Sequence, residues 1–251
     1  MQVVNSLTNE VVLRYKKLKD KKYRAKFAQY LIEGLRFVTD AVNTKQNIEA
    51  IFVDGEKADK YKDLLDNVSC RVYYSDQKVL KVLSDTVTSQ GIVAVINIEQ
   101  RGVFSAANNC LILDNISDPG NLGTIIRTAA AFKFSDIFLI DCVDAYNPKV
   151  LRSTMGGIFF VNLYEYSAEK TIKFLKSNNY KIYVADVKGE DFEIITEHHK
   201  IALAIGSEAF GISKEILDNS NKTIAIKMEK TVESLNAAVS AAILMQKFKI
   251  I

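Results

Sequence analysis

The feature that most constrains this chain is a rhythm. Short, continuously apolar runs such as CLILD (110–114), DIFLI (136–140), KIYV (181–184) and IALAI (201–205) are separated by segments with helical periodicity. A strand apolar on both faces must be covered on both, which only a mainly parallel sheet between helices provides. The reading predicts strands at 110–116, 136–141, 159–166, 181–187, 201–208 and 223–228. Helices are predicted at 121–132, 147–157 and 168–178, with SLNAAVSAAILMQKF (234–248) as the closing helix. The α/β signals of the first hundred residues are more compact. Helices are expected over Ser6–Leu18, 35–43 and 76–84, and strands over 30–34, 48–54, 71–75 and 91–99. Between the two series lies QRGVFSAANN, polar and rich in small residues. The expected organisation is a smaller domain at 1–99, a linker at 100–109 and a larger domain at 110–251.

The length of 251 residues supports two cores without staples. The proportions of 48% hydrophobic and 25% charged residues exclude wholesale disorder. No apolar run reaches the roughly 18 residues of a membrane helix, and the N-terminus does not read as a signal peptide. Cys70, Cys110 and Cys142 are far apart and form no CxxC pair, so they read as reduced cysteines of a cytoplasmic protein. His198 and His199 are the only histidines and have no partners at metal spacing, so no metal is expected.

Charge is unevenly placed. Between Arg14 and Lys26 there are eight basic residues and one acid, a local +7 against +3 for the whole chain. Interleaved with Tyr15 and Tyr23, the stripe has the footprint of a phosphate-backbone contact, although a solvated helix face gives the same pattern.

Ligands of parallel sheets sit beyond the carboxyl ends of strands, and three such places stand out. After the strand at 110–116 comes an expected turn, Asp118-Pro119-Gly120-Asn121, and a helix opening at Leu122-Gly123. This GxxG is weaker than a dinucleotide GxGxxG and also fits simple packing. Arg127 is less easily dismissed: seven of the 33 basic residues are arginines, and this one lies in the apolar run IIRTAAAF. The second place is Gly206-Ser207-Glu208, followed by Phe210-Gly211-Ile212. It reads either as a ligand-facing turn or as a helix N-cap by Ser207 or Ser213. In the third, Ser234 is a good N-cap for the closing helix, Asn236 is unexpected in its first turn, and Ala237, Ala238, Ser240, Ala241 and Ala242 predict a close helix contact, a candidate dimer interface.

Taken together, DPGNLGTIIRTA, IGSEAFGIS and MEKTVESLNAAVSAAILM resemble, in order and spacing, the three motifs of the SpoU/TrmH branch of the SPOUT RNA ribose 2′-O-methyltransferases. NEVVLRYKKLKDKKYRAKFAQYLIEGLRFV and LSDTVTSQGIVAV are similar to the opening and closing segments of that family's ribosomal-protein-like substrate-binding domain. The resemblance covers nearly the whole chain. It implies an α/β trefoil-knot domain, a homodimer with shared sites, and S-adenosyl-L-methionine as cofactor, held by Gly206, Ile226 and Leu235. Asn121, Arg127, Glu208, Ser234 and Asn236 take the catalytic positions, and Arg14, Lys16, Lys19, Arg24 and Arg36 the RNA contacts. The substrate-binding domain points to rRNA over tRNA. The chain departs from the family where Pro and Gly are usual in the third motif: Lys227 and Lys230 stand there instead. The resemblance offers Arg127 as a base, but an arginine holds its proton so tightly that gripping a phosphate and stabilising developing alkoxide fits at least as well. A non-catalytic RNA- or cofactor-binding member of the fold and a Rossmann-type enzyme are the competing readings, the latter lacking its GxGxxG.

Overall fold

The computed structural model describes residues 2–86, 89–99, 109–196, 200–229 and 231–249. They form two compact units divided at residue 100, with Tyr146–Leu151 grouped with the first. Most of the expected linker, together with His198, His199 and Lys230, lies outside the described residues.

The first unit is built on a five-stranded sheet, β1 (Gln2–Val3), β2 (Gln29–Glu33), β3 (Ile48–Asp54), β4 (Arg71–Ser75) and β5 (Ile92–Asn97), in the order β1-β4-β3-β5-β2. β5 runs antiparallel to both β2 and β3, whereas β1, β4 and β3 are parallel. Helices α1 (Glu10–Lys16), α2 (Lys21–Phe27), α3 (Leu35–Asn43), α4 (Lys62–Leu65) and α5 (Gln77–Leu83) accompany it. The expected helix over Ser6–Leu18 is shorter, because Asn9 caps it by accepting from Val11 N–H at 2.9 Å. At its other end the chain tightens into a 3-10 turn, Lys17–Lys19, before Asp20 caps α2.

This break rearranges the basic stripe. Arg24 is 5% exposed. Its Nη1 donates to the carbonyls of Leu18 and Lys19, both at 2.8 Å, satisfying acceptors that a helix end leaves open. Arg24 therefore holds the turn and is not an outward RNA contact, which corrects the expectation. Lys16 and Arg36 are exposed. Arg14 is also exposed and stacks over the rings of Tyr15 and Phe27, and Lys19 donates to the Ser84 carbonyl.

The second unit is a six-stranded, all-parallel sheet. Its strands are β6 (Cys110–Asp114), β7 (Asp136–Ile140), β8 (Asn162–Glu165), β9 (Lys181–Asp191), β10 (Ile201–Gly206) and β11 (Lys222–Ala225), in the order β11-β9-β10-β6-β7-β8. All five residues of β6 and of β7 are buried, as two-sided cover requires. Helices α6 (Pro119–Phe132), α8 (Ala168–Ser177) and α10 (Ala237–Phe248) and the short α9 (Lys214–Asp218) surround the sheet, and α7 (Pro148–Thr154) follows β7 in the chain. The run 159–166 is only partly strand, since Gly157–Phe160 forms a 3-10 turn packed on α6. Gly157 allows this approach: a Cβ there would lie 2.9 Å from Arg127 Cα. β6 and β10 lie side by side with Asp114 level with Gly206. Their outgoing connections lead to opposite sides of the sheet, which makes this the topological switch point.

Candidate active site

Three loops leave the carboxyl ends of β6, β10 and β11. In the first, the expected turn at 118–121 is already helix. Asp118 is the N-cap, accepting from Asn121 N–H at 2.8 Å, and Pro119 occupies the first turn, where its missing N–H costs nothing. Asn121 thereby sits in the first turn of α6, beyond the carboxyl end of β6.

In the second loop Ser207 does not cap a helix. Its carbonyl accepts from Gly211 N–H at 2.9 Å and its hydroxyl from Phe210 N–H at 3.2 Å, so 207–211 is a closed turn. Gly206 is required on steric grounds, because a Cβ there would lie 2.2 Å from Gly211 O. Ser213 stands at the start of α9 without capping it, and its backbone N–H donates to Asp114 Oδ2 at 2.7 Å. Asp114 is fully buried and also accepts from Asn115 Nδ2 at 2.8 Å. It ties the end of β6 to the loop after β10. Sequence reasoning missed this residue, and its only signal was an acid closing the apolar run CLILD.

In the third loop the cap is two residues later than expected. Asn236, not Ser234, caps α10, its Oδ1 accepting from Ala238 N–H at 3.0 Å and Val239 N–H at 3.3 Å. Ser234 is exposed and has no hydrogen-bond partner among the described residues.

The loops converge on one carboxylate oxygen. Glu208 Oε1 accepts from Asn121 Nδ2 at 3.0 Å, Asn236 Nδ2 at 3.1 Å and the backbone N–H of Ala237 at 3.0 Å, while Asn236 Nδ2 also reaches Asn121 Oδ1 at 2.9 Å. Three side chains separated by up to 115 residues thus form one network, with Glu208 and Asn236 exposed to solvent and Asn121 half-buried. The carboxylate also suits the positive N-terminal end of α10. Arg127 is exposed two turns further along α6, about 9 Å of helix rise from Asn121, with no partner among the described residues. The structure therefore joins Asn121, Glu208 and Asn236, and leaves Arg127 and Ser234 outside their hydrogen bonds.

Beside this network, Ile226 and Leu235 are half-buried. Between Met228 and Leu235 the one backbone–backbone hydrogen bond among the described residues runs from Val232 N–H to Glu229 C=O at 3.1 Å. Among the described residues of this stretch the other main-chain donors and acceptors have no backbone partner, and no Cβ intrudes at Gly206. This is a donor set fitted to a heteroaromatic, polar cofactor. Lys227, at 3.3 Å from Asp191 Oδ2, ties the start of this loop to the end of β9. Among the described residues no group of three or more His, Cys, Asp or Glu could hold a metal ion.

A parallel sheet with a polar network and an open main-chain cradle at its switch point defines a cofactor-binding α/β domain, here preceded by a separate α/β unit. The chain belongs to the SpoU rRNA methylase family, whose model matches residues 108–246, and residues 9–94 match the MRM3-like substrate binding domain. It is 32% identical over 247 residues to the 23S rRNA (guanosine(2553)-2′-O)-methyltransferase RlmP of Bacillus subtilis, covering 98% of each chain. It is 28% identical to the mitochondrial rRNA methyltransferase 3 of Mus musculus, over 91% of this chain and 69% of that protein. The crystal structure of an AdoMet-bound rRNA methyltransferase from Sinorhizobium meliloti superposes with a TM-score of 0.87 at 25% identity, covering 98% of this chain and 96% of that one.

Proposed function

We propose that the protein transfers a methyl group from S-adenosyl-L-methionine to a ribose 2′-hydroxyl of RNA, and that the RNA is ribosomal. The observation that carries this is the convergence of Asn121, Glu208 and Asn236 beside Gly206, Ile226 and Leu235. Full-length similarity to an rRNA 2′-O-methyltransferase supports both the reaction and the substrate. When bound, S-adenosyl-L-methionine supplies a methyl carbon activated by a sulfonium, which departs as a neutral thioether when the ribose oxygen attacks. Gly206, Ile226 and Leu235 hold it, largely through backbone groups. Asp114 and Glu208 lock the loops in place, so the cost of aligning the reactants is met in folding. Arg127 grips the neighbouring phosphate and offsets charge developing on the oxygen as its proton leaves to solvent. No step requires a metal.

The same reading has the chain around β11 threaded as a trefoil knot. It also makes the protein a cytoplasmic homodimer. Of the small residues Ala237, Ala238, Ser240, Ala241 and Ala242 that mark α10 as a candidate dimer contact, Ala238 and Ala241 are 5% and 0% exposed within the single chain, on a helix packed against α6. The dimer face is instead the outer side of α10, where Val239 is exposed, together with exposed Met155 and Phe160 near the turn packed on α6. Val239→Arg should then separate the subunits and abolish activity together; sedimentation showing a fully active wild-type monomer refutes the dimer. The test of function is a map of 2′-O-methyl sites in cellular RNA with and without the gene. One rRNA site should vanish and return when the purified protein and S-adenosyl-L-methionine are added, and an unchanged map refutes the reading.

A further inference from the structure

We infer that Phe210 is a stacking platform for a base of the RNA strand that carries the methyl-accepting ribose. The inference rests on the function just proposed and gives a role to a residue of the second motif that neither the resemblance nor the network assigned one. Phe210 is 85% exposed, more than any other large hydrophobic side chain described. One exposed apolar residue is ordinary on a protein surface, but the placement of this one is not. It lies two residues beyond Glu208, so the two Cα atoms are within about 7 Å. Its ring makes no ring or cation contact among the described residues.

The ring also stands on a stiff support. Phe210 N–H is held by Ser207 Oγ and Gly211 N–H by Ser207 C=O, at 3.2 and 2.9 Å. Gly211 is in the left-handed region, φ +65°, and the backbone of Gly206 packs directly against it. The space beside Gly211 is open: a Cβ built there meets nothing within 4 Å. A protein using this loop only to position Glu208 would gain nothing from a phenyl ring in water at its tip.

The chemistry supplies the occupant. A 2′-hydroxyl delivered to this site brings its base on the adjoining sugar carbon. Proteins that recognise RNA bases in unpaired regions stack them on aromatic side chains. Phenylalanine has no donor or acceptor, so it adds affinity for a base without reading its identity.

The test uses the full chain and an oligoribonucleotide containing the mapped methylation site. Phe210→Ala should raise the KM for RNA about 5- to 140-fold, the range expected for one lost stack. The turnover rate and the affinity for S-adenosyl-L-methionine should stay within about twofold, and Phe210→Tyr should restore KM. The chain has no tryptophan, so Phe210→Trp introduces a single reporter whose emission should be quenched by RNA and not by cofactor alone. An unchanged KM in Phe210→Ala overturns the inference. So does a weakened cofactor affinity with RNA unaffected, which would put the ring over the cofactor, or a shift in sedimentation, which would put it between copies of the chain. An active wild type with an indifferent Phe210 sinks this inference alone, whereas a wild type that methylates no RNA sinks the proposed function with it.

Discussion

Asn236 uses both ends of its amide, and the two ends can be separated. Its Oδ1 caps α10 and its Nδ2 donates to Asn121 and Glu208. Asn236→Ala removes both. Loss of the cap costs about 1 kcal/mol. Two solvent-accessible hydrogen bonds add about 0.5 kcal/mol each, the low end of the range because water replaces them. The total is about 2 kcal/mol. Asn236→Asp keeps the cap, since Asp and Asn are equivalent there, but loses both donors. It also sets a second carboxylate against Glu208, where like charges about 4 Å apart in water repel by ~1 kcal/mol. The two variants should therefore be destabilised by similar amounts for different reasons. Circular dichroism during urea unfolding, followed at low and high salt, separates them. The Asp variant should regain about half its loss as salt screens the repulsion, and the Ala variant should regain none. Both should lose at least ~100-fold in single-turnover methyl transfer, because Glu208 and Asn121 each lose the bond to Asn236 that ties them to the third loop. An Asp variant with wild-type stability and activity would show that the Nδ2 bonds carry nothing.

Arg127→Ala should leave unfolding within about 0.5 kcal/mol of wild type, as for an exposed side chain without partners, and abolish methyl transfer. Arg127→Lys, which keeps the charge and loses the fork, tells geometry from charge in the same assay. Gly206→Ala should weaken S-adenosyl-L-methionine binding about tenfold or more by calorimetry, ~1.4 kcal/mol, because the new Cβ displaces the Gly211 backbone. Replacing Lys16 and Arg36 with Ala should flatten the dependence of RNA affinity on salt by about 0.7–0.9 per residue that contacts phosphate. Arg24→Ala should instead destabilise the first unit by about 2–3 kcal/mol, having lost two charge-assisted bonds to carbonyls. Burial raises the Cys142 thiol from its ordinary value to about 11. Its proton thus favours the folded state fully below about pH 9, and that contribution is lost as pH rises through 11. Cys142→Ala should lose less stability than wild type between pH 9 and 11, and equal slopes would refute the shift.

What the sequence determined by itself was whatever depends on neighbours a few residues away. The helix at 35–43 and the strands at 48–54 and 71–75 fall where periodicity places them. The three loops that carry the site were legible because Gly, Asn, Ser and Glu interrupt apolar strands there. Asn121, Glu208 and Asn236 stood out in those loops and took catalytic positions from motif resemblance, and Arg127 stood out by its oddity in an apolar helix. Tertiary structure alone decided the partners. Which of Ser234 and Asn236 caps α10 depends on where Glu208 holds the start of that helix, and Glu208 lies 28 residues away. Arg24 reads as one more cation in a basic run, and only the 3-10 turn at 17–19 presents carbonyls that draw it inside. Asp114 looks like the polar end of a strand until β10 is laid beside β6 and Ser213 N–H meets it. Ala238 and Ala241 announce a close contact, but composition does not say with what, and it is met by the rest of the same chain. Local sequence fixes backbone propensity and exposes unusual residues; the pairing of long-range donors with acceptors is a property of the sheet order, which no window of the sequence contains.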